Sequence, residues 1–179
     1  MIHYQIATPK DWKTIARTHA HSWQLSYRGI LSDQYLDHEV EADRYQVWEK
    51  RFQQIAKNQY AVLAMDGPQC CGFSCVFDQH HPEWGALLDN LHVLPSWRGQ
   101  GIGAKLLLAG AKWIHHRHPN SLYYLWVYED NALARNFYSK MGGQEKETIL
   151  DRQPDGVDAR IVRYVWEDLG KLIGNNKQK

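Results

Sequence analysis

The stretch "WRGQGIGAKLLLAG", Trp97 to Gly110, places Gly99, Gly101 and Gly103 within five residues, directly ahead of an apolar run. A helix start exposes backbone N–H groups that have no partner inside the helix, and the dipole puts roughly half a positive charge there. Glycines ahead of the first turn remove Cβ atoms that would hold an anion away from those groups, and they permit positive φ in the loop. Arg98 adds a guanidinium fork. The stretch therefore reads as a phosphate-binding loop that opens a helix.

Two nucleotide loops are tested against it first. The pattern GxxxxGK[ST], started at Gly99, finds Ala104 where its second Gly belongs and Leu106 where Ser or Thr should hold magnesium. The dinucleotide pattern GxGxxG/A is met by Gly99, Gly101 and Ala104, and Glu129 follows the next strand where a ribose-binding acid could sit. That fingerprint needs a tight strand-to-turn junction, however, and Pro95 to Arg98 intervene.

Outward from the loop, "GALLDNLHV" reads as a strand ended by Pro95, which cannot donate a ladder hydrogen bond. The helix from near Gly101 is expected to bury Ile102, Leu106, Ala109 and Trp113. "LYYLWVY" is almost wholly apolar, as a strand covered on both faces must be. "EDNALARNFYSKMGG" then starts with an Asx cap, sets Leu133, Phe137 and Met141 at helical spacing and stops at a Gly pair.

Upstream, "HYQIA" alternates like a strand and "TPKD" carries a Thr cap, a Pro and an acid for a helix whose face is Trp12, Ile15, Ala16, His19 and Trp23. A break at "YRGILSD" precedes a second helical pattern through Tyr45, Trp48, Phe52 and Ile55. "QYAVLAMDG" and "CCGFSCVF" form a hairpin, with Cys70, Cys71 and Cys75 read as small apolar strand residues. A second hairpin closes the order β α α β β β α β α β β, and residues 167–179 read as a frayed tail on a single domain spanning 1–179.

The whole unit of strand, Pro, "RGQGIG", helix, "LYYLWVYEDN" and "ALARNFYSKMGG" resembles the GNAT family of acyl-CoA-dependent N-acyltransferases, whose loop Q/R-x-x-G-x-G/A is matched by Arg98, Gly101 and Gly103. The resemblance is specific over residues 85–143. It implies an α/β fold with a mixed, mainly antiparallel central sheet flanked by helices, its central strands splayed. It also implies acetyl-CoA as co-substrate. The pantetheine arm would lie along Leu91, His92 and Val93, and the diphosphate on Arg98, Gly99, Gln100, Gly101, Ile102 and Gly103. Asn131, Arg135 and Tyr138 would complete the cofactor contacts.

The same resemblance makes Tyr138 the general acid for the leaving thiolate, Asp89 the first candidate base and His92 the second. Trp23 and Tyr27, from the acceptor side, would flank an amine by cation–π contact. The expected acceptor is a small polyamine-like amine, with protein N-termini, lysines or aminoglycoside-type amines behind it. A non-catalytic acyl-CoA sensor and a nicotinamide-dependent oxidoreductase are the readings from other classes. "MGGQ" departs from the family, because Gly143 stands where an aromatic side chain often packs near the cofactor.

Composition narrows the rest. Net charge is +1 with cations and anions interspersed, against a general nucleic-acid or membrane-surface binder. No leader pattern or long apolar run is present, so a cytoplasmic location is expected, with a small-molecule amine as partner and a homodimer compatible with the chain. His19 and His21 sit at i and i+2, on different helix faces, and "HHRHP" reads as a solvated helix end, so no metal is expected.

Overall fold

Every β-rich run enters one sheet. A computed structural model describes residues 1–175. In it the chain runs β1 (Ile2–Ile6), α1 (Trp12–Ser26), α2 (Asp33–His38), α3 (Val40–Gln53), β2 (Gln59–Asp66), β3 (Gln69–His81) and β4 (Gly85–Val93). It continues through α4 (Ile102–Arg117), β5 (Tyr123–Tyr128), α5 (Ala132–Lys140), β6 (Gln144–Arg152), β7 (Asp158–Trp166) and α6 (Leu169–Asn175). The strand order is β1-β2-β3-β4-β5-β7-β6, antiparallel at every junction except β4–β5. This is the mixed, mainly antiparallel sheet the sequence implied.

Helices cover both faces. On one, Ile15 and Ala16 of α1 and Trp48 and Phe52 of α3 pack on Leu63, Phe73 and Cys75. On the other, Leu107, Ala111 and Ile114 of α4 pack on Val76, Leu88, Tyr123 and Leu125. Each such fully buried large side chain stabilises the fold by about 1.5–3 kcal/mol. All three cysteines are free and buried within β3, as expected of apolar strand residues.

Four local readings are corrected. The break at "YRGILSD" leads into an extra short helix, because Ser32 caps α2 by accepting from Tyr35 N–H. Residues 169–175 are helical, since Leu169 and Leu172 find apolar neighbours on the core beneath α4; residues 176–179 of the expected tail lie outside the described residues. The buried face of α4 is Ile102, Leu106, Leu107, Gly110, Ala111 and Ile114, while Trp113 stacks on Tyr60 at the rim. Ile55 lies past the end of α3 and is exposed.

The end of α4 is also more engaged than a solvated cap. Arg117 and His118 both reach Asp78 Oδ2 of β3, at 2.9 and 3.1 Å, and Asp78 is buried. His19 is buried and His21 exposed, the split their spacing requires. Among the described residues no helix is long and apolar enough to cross a membrane, and no cluster of His, Cys, Asp or Glu could hold a metal.

Candidate active site

The parallel junction of β4 and β5 is short. Pairing holds at Ala86–Tyr123 and Leu87–Tyr124, after which β4 runs on to Val93 and β5 to Tyr128 without further pairs. A register shift against β3 leaves Asp89 opposite no partner, and such a bulge bends a strand and increases its twist. The strands thereby open a cavity of about 900 Å³. Its walls come from β4 and β5, from α1 and α3 on one face of the sheet, and from the glycine loop, α4 and α5 on the other.

At the glycine loop, Gly99 and Gly101 hold φ of +78° and +77°, a region that costs an L-residue roughly 1–2 kcal/mol. Gly101 is the N-cap of α4, so the first bond of the helix is Lys105 N–H to Gly101 O. Among the described residues, the N–H groups from Gly99 to Ala104 have no acceptor. Six donors at the positive end of a four-turn helix make a site for a diphosphate. Phe137 of α5 lies 3.4 Å from where a Cβ on Gly103 would stand, so the loop and α5 close on each other there.

The side chains expected at this end divide. Asn131 caps α5, accepting from Ala134 N–H with Oδ1, and lines the cavity with its amide nitrogen uncommitted. Arg98 bonds Val93 O through Nε and Ser26 Oγ through an Nη, bracing the loop against β4 and α1. Arg135 donates to Glu129 O and Glu145 and does not line the cavity, and Gln100 is exposed outside it. Their side chains are therefore placed outside the cavity, while the Gln100 backbone N–H stays in the loop's row of donors.

Tyr138 projects from α5 into the cavity. Burial, with a smaller effect from Tyr27, pushes its phenol above the ordinary value, so it stays protonated and can donate. Tyr27 also lines the cavity, and burial raises it to about 12. His92 accepts from or donates to Ser22 Oγ through Nδ1 at 3.1 Å. Its crowded surroundings first, then the charges of Arg44 and Arg98, lower its pKa to about 3. Near neutral pH it is therefore an uncharged, weakly basic imidazole. Asp89 is held by Arg51, which donates to Oδ2 at 2.6 Å and to Asn90; Asp89 Oδ1 takes no partner.

Two further expectations change. Trp23 does line the cavity, but the guanidinium of Arg44 already lies over its ring at 4.4 Å, so the cation on that aromatic is the protein's own. Gly143 leaves no hole, because a Cβ there would stand 2.8 Å from Trp166 Cζ2; the aromatic comes from β7 instead, with Trp166 Nε1 donating to Met141 O.

Sequence reading missed Arg44 and Arg51, which lie seven residues apart on α3 and line the acceptor end. Their spacing, bracketing the buried Trp48, was the available signal. It also missed the end of β6 and the turn that follows, where residues 151–154 line the cavity. That turn is pinned by Ser32 N–H to Asp155 and by Tyr128 Oη to Gln153, partners about 120 and 25 positions distant.

Comparison with known proteins gives this geometry its lineage. The model of the acetyltransferase (GNAT) family matches residues 21–143. The N-acetyltransferase YuaI of Bacillus subtilis, itself uncharacterised, is 25% identical over 174 residues, covering 96% of each chain. The PaiA N-acetyltransferase of Thermoplasma acidophilum, solved with coenzyme A, superposes with a TM-score of 0.70 at 18% identity, over 93% of this chain and 99% of that one. The structure of yncA from Salmonella typhimurium, solved with its cofactor acetyl-CoA, gives 0.66 at 15% identity over 93% and 94%. The mainly antiparallel sheet sets aside the dinucleotide oxidoreductase, which needs a parallel one. A family model spanning most of the chain, on a splayed sheet with a glycine-opened helix, identifies the chain as a member of the acetyltransferase (GNAT) family and an N-acetyltransferase.

Proposed function

We propose that the protein transfers an acetyl group from acetyl-CoA to a primary amine by direct attack within the β4–β5 cleft. The observation that carries the reading is the row of unpartnered N–H groups, Gly99 to Ala104, opening onto the same cavity as Tyr138. The residues present fit the cofactor. The loop would take its diphosphate, the unpaired edge of β4 its pantetheine arm, and Asn131 the arm's polar groups. Bound there, acetyl-CoA supplies an activated acetyl group, whose carbon bonds the amine nitrogen as the carbon–sulfur bond breaks and the electron pair leaves with sulfur.

The protein's own groups handle the protons. Tyr138 Oη gives one at the sulfur, and its buried neutral phenol suits a donor at neutral pH. The surplus amine proton passes to a water on Asp89 Oδ1, the carboxylate of β4 that faces the cavity. Backbone N–H groups at the splay stabilise the negative charge on the acetyl oxygen, an effect of about 10²–10³ per donor. The polyamine-like acceptor expected from "HSWQLSYRGIL" would meet Arg44 at this end, together with Asp89 and Asp151.

Thiol release from acetyl-CoA in the presence of primary amines tests the reading, with the buried cysteines adding little background. Tyr138→Phe should lower kcat about 10²-fold with KM for acetyl-CoA within threefold. An unchanged kcat would remove Tyr138 from the proton path.

A further inference from the structure

The cation-lined end of the cavity points to one class of acceptor. Arg44 is 9% exposed, yet it lines the cavity from α3, with its guanidinium flat on Trp23. It spends one N–H on Asp43, its sequence neighbour, which also accepts from Tyr35 Oη and does not itself line the cavity. Its Nε is buried with no acceptor, and among the described residues Asp43 is its one carboxylate partner. A guanidinium desolvated this far is costly unless a carboxylate completes it.

Asp43 offsets part of the Arg44 charge from outside the cavity wall. Asp89 is taken up by Arg51, so that pair contributes little net field. Arg152, at the end of β6, pairs with Asp158 and lines the wall beside Asp151, so that corner also adds little net charge. The field is felt locally: after burial, Arg44 is the largest cause of the depression of the His92 pKa. A carboxylate matches the planar fork of Arg44 in two parallel bonds, which an acceptor bearing only amines does not offer.

We infer that the acceptor is an amine that also bears a carboxylate, and that Arg44 holds that carboxylate while the amine points toward Tyr138 and Asp89. This rests on the transferase reading above. The guanidinium of Arg44 serves the chemistry as well, because a nearby positive charge favours the neutral, nucleophilic form of the amine over its ammonium.

The test compares the common L-amino acids and short ω-amino acids with their carboxamides, and with spermidine, in thiol release at saturating acetyl-CoA. Carboxamide α-amines are less basic and so more fully unprotonated at neutral pH, which biases the comparison against the expected result. At least one acid should exceed its carboxamide and spermidine in kcat/KM by tenfold or more. Arg44→Gln should then raise KM for that acid about tenfold to a hundredfold while leaving its carboxamide and the acetyl-CoA-induced thermal shift unchanged. Carboxamides or spermidine matching the acids overturn the inference, as does a lack of turnover with every acid while acetyl-CoA still raises the melting temperature. Should Arg44→Gln fail to fold, the wild-type ratio alone decides. A missing acetyl-CoA shift instead overturns the transferase reading and this one with it.

Discussion

The two ends of the β4–β5 cleft are built from different materials. The loop end is backbone: glycines at positive φ, free N–H groups and a helix dipole, all within residues 98–104. The acceptor end is side chain: Trp23 and Tyr27 from α1, Arg44 and Arg51 from α3, Asp89 and His92 from β4, and residues 151–154. A backbone site recognises a group shared by many partners and is written in a few adjacent letters. A side-chain site is assembled from segments far apart in sequence, so it can change without disturbing the loop.

The sharpest way to break this contrast is at Gly101. Gly101→Val forces a β-branched residue into left-handed backbone at the N-cap of α4, and should weaken acetyl-CoA binding at least a hundredfold, read by titration calorimetry, with acceptor preference unaltered. Binding within threefold of wild type would mean that the loop does not hold the diphosphate.

Next in size is Gly143→Ala. Its Cβ would press on Trp166 at 2.8 Å and on Tyr138 O at 3.1 Å, so we expect a loss of about 1–3 kcal/mol in denaturant unfolding. A neutral result would show that Trp166 moves aside freely. Because Tyr138 shares this wall, kcat should fall as well, while the KM of the acceptor should not.

Smaller still is the effect of acid at the acceptor end. His92 has a folded pKa near 3 against an ordinary 6.5, and buried His19 is lowered in the same direction, burial being the main cause in both. Between about pH 6.5 and 3 the unfolded chain binds more protons than the folded one, so stability falls as pH falls through that window. His92→Gln should flatten the slope of melting temperature against pH there. An unchanged slope would mean that His92 is not held neutral in the folded protein.

Legibility followed the same division. The strand run "LYYLWVY", the loop and the Asx cap at Asn131 were readable because each is a local pattern with one physical cause. Helix α2 was not, being too short for periodicity to register. Helix α6 was lost because Gly170 and Gly174 lower the helix propensity around the Leu169 and Leu172 that anchor it. In the site, Arg135 and Gln100 were assigned by position within a motif, and only packing shows that they turn away. Arg44 carried only its spacing from Arg51 around Trp48 as a mark, since an arginine on a helix is ordinarily solvated and only its neighbours in space make it buried.

The most direct test of the central claim, that the glycine-opened cleft is an acyl-CoA site, is thermal unfolding of the wild-type protein with acetyl-CoA, CoA, NADH or ATP. A ligand at about 100 times its Kd adds about 2.7 kcal/mol, a rise of several degrees at this size. The account predicts that rise with acetyl-CoA or with both CoA forms, and its loss in Gly101→Val. A rise with NADH or ATP and none with either CoA form would contradict it.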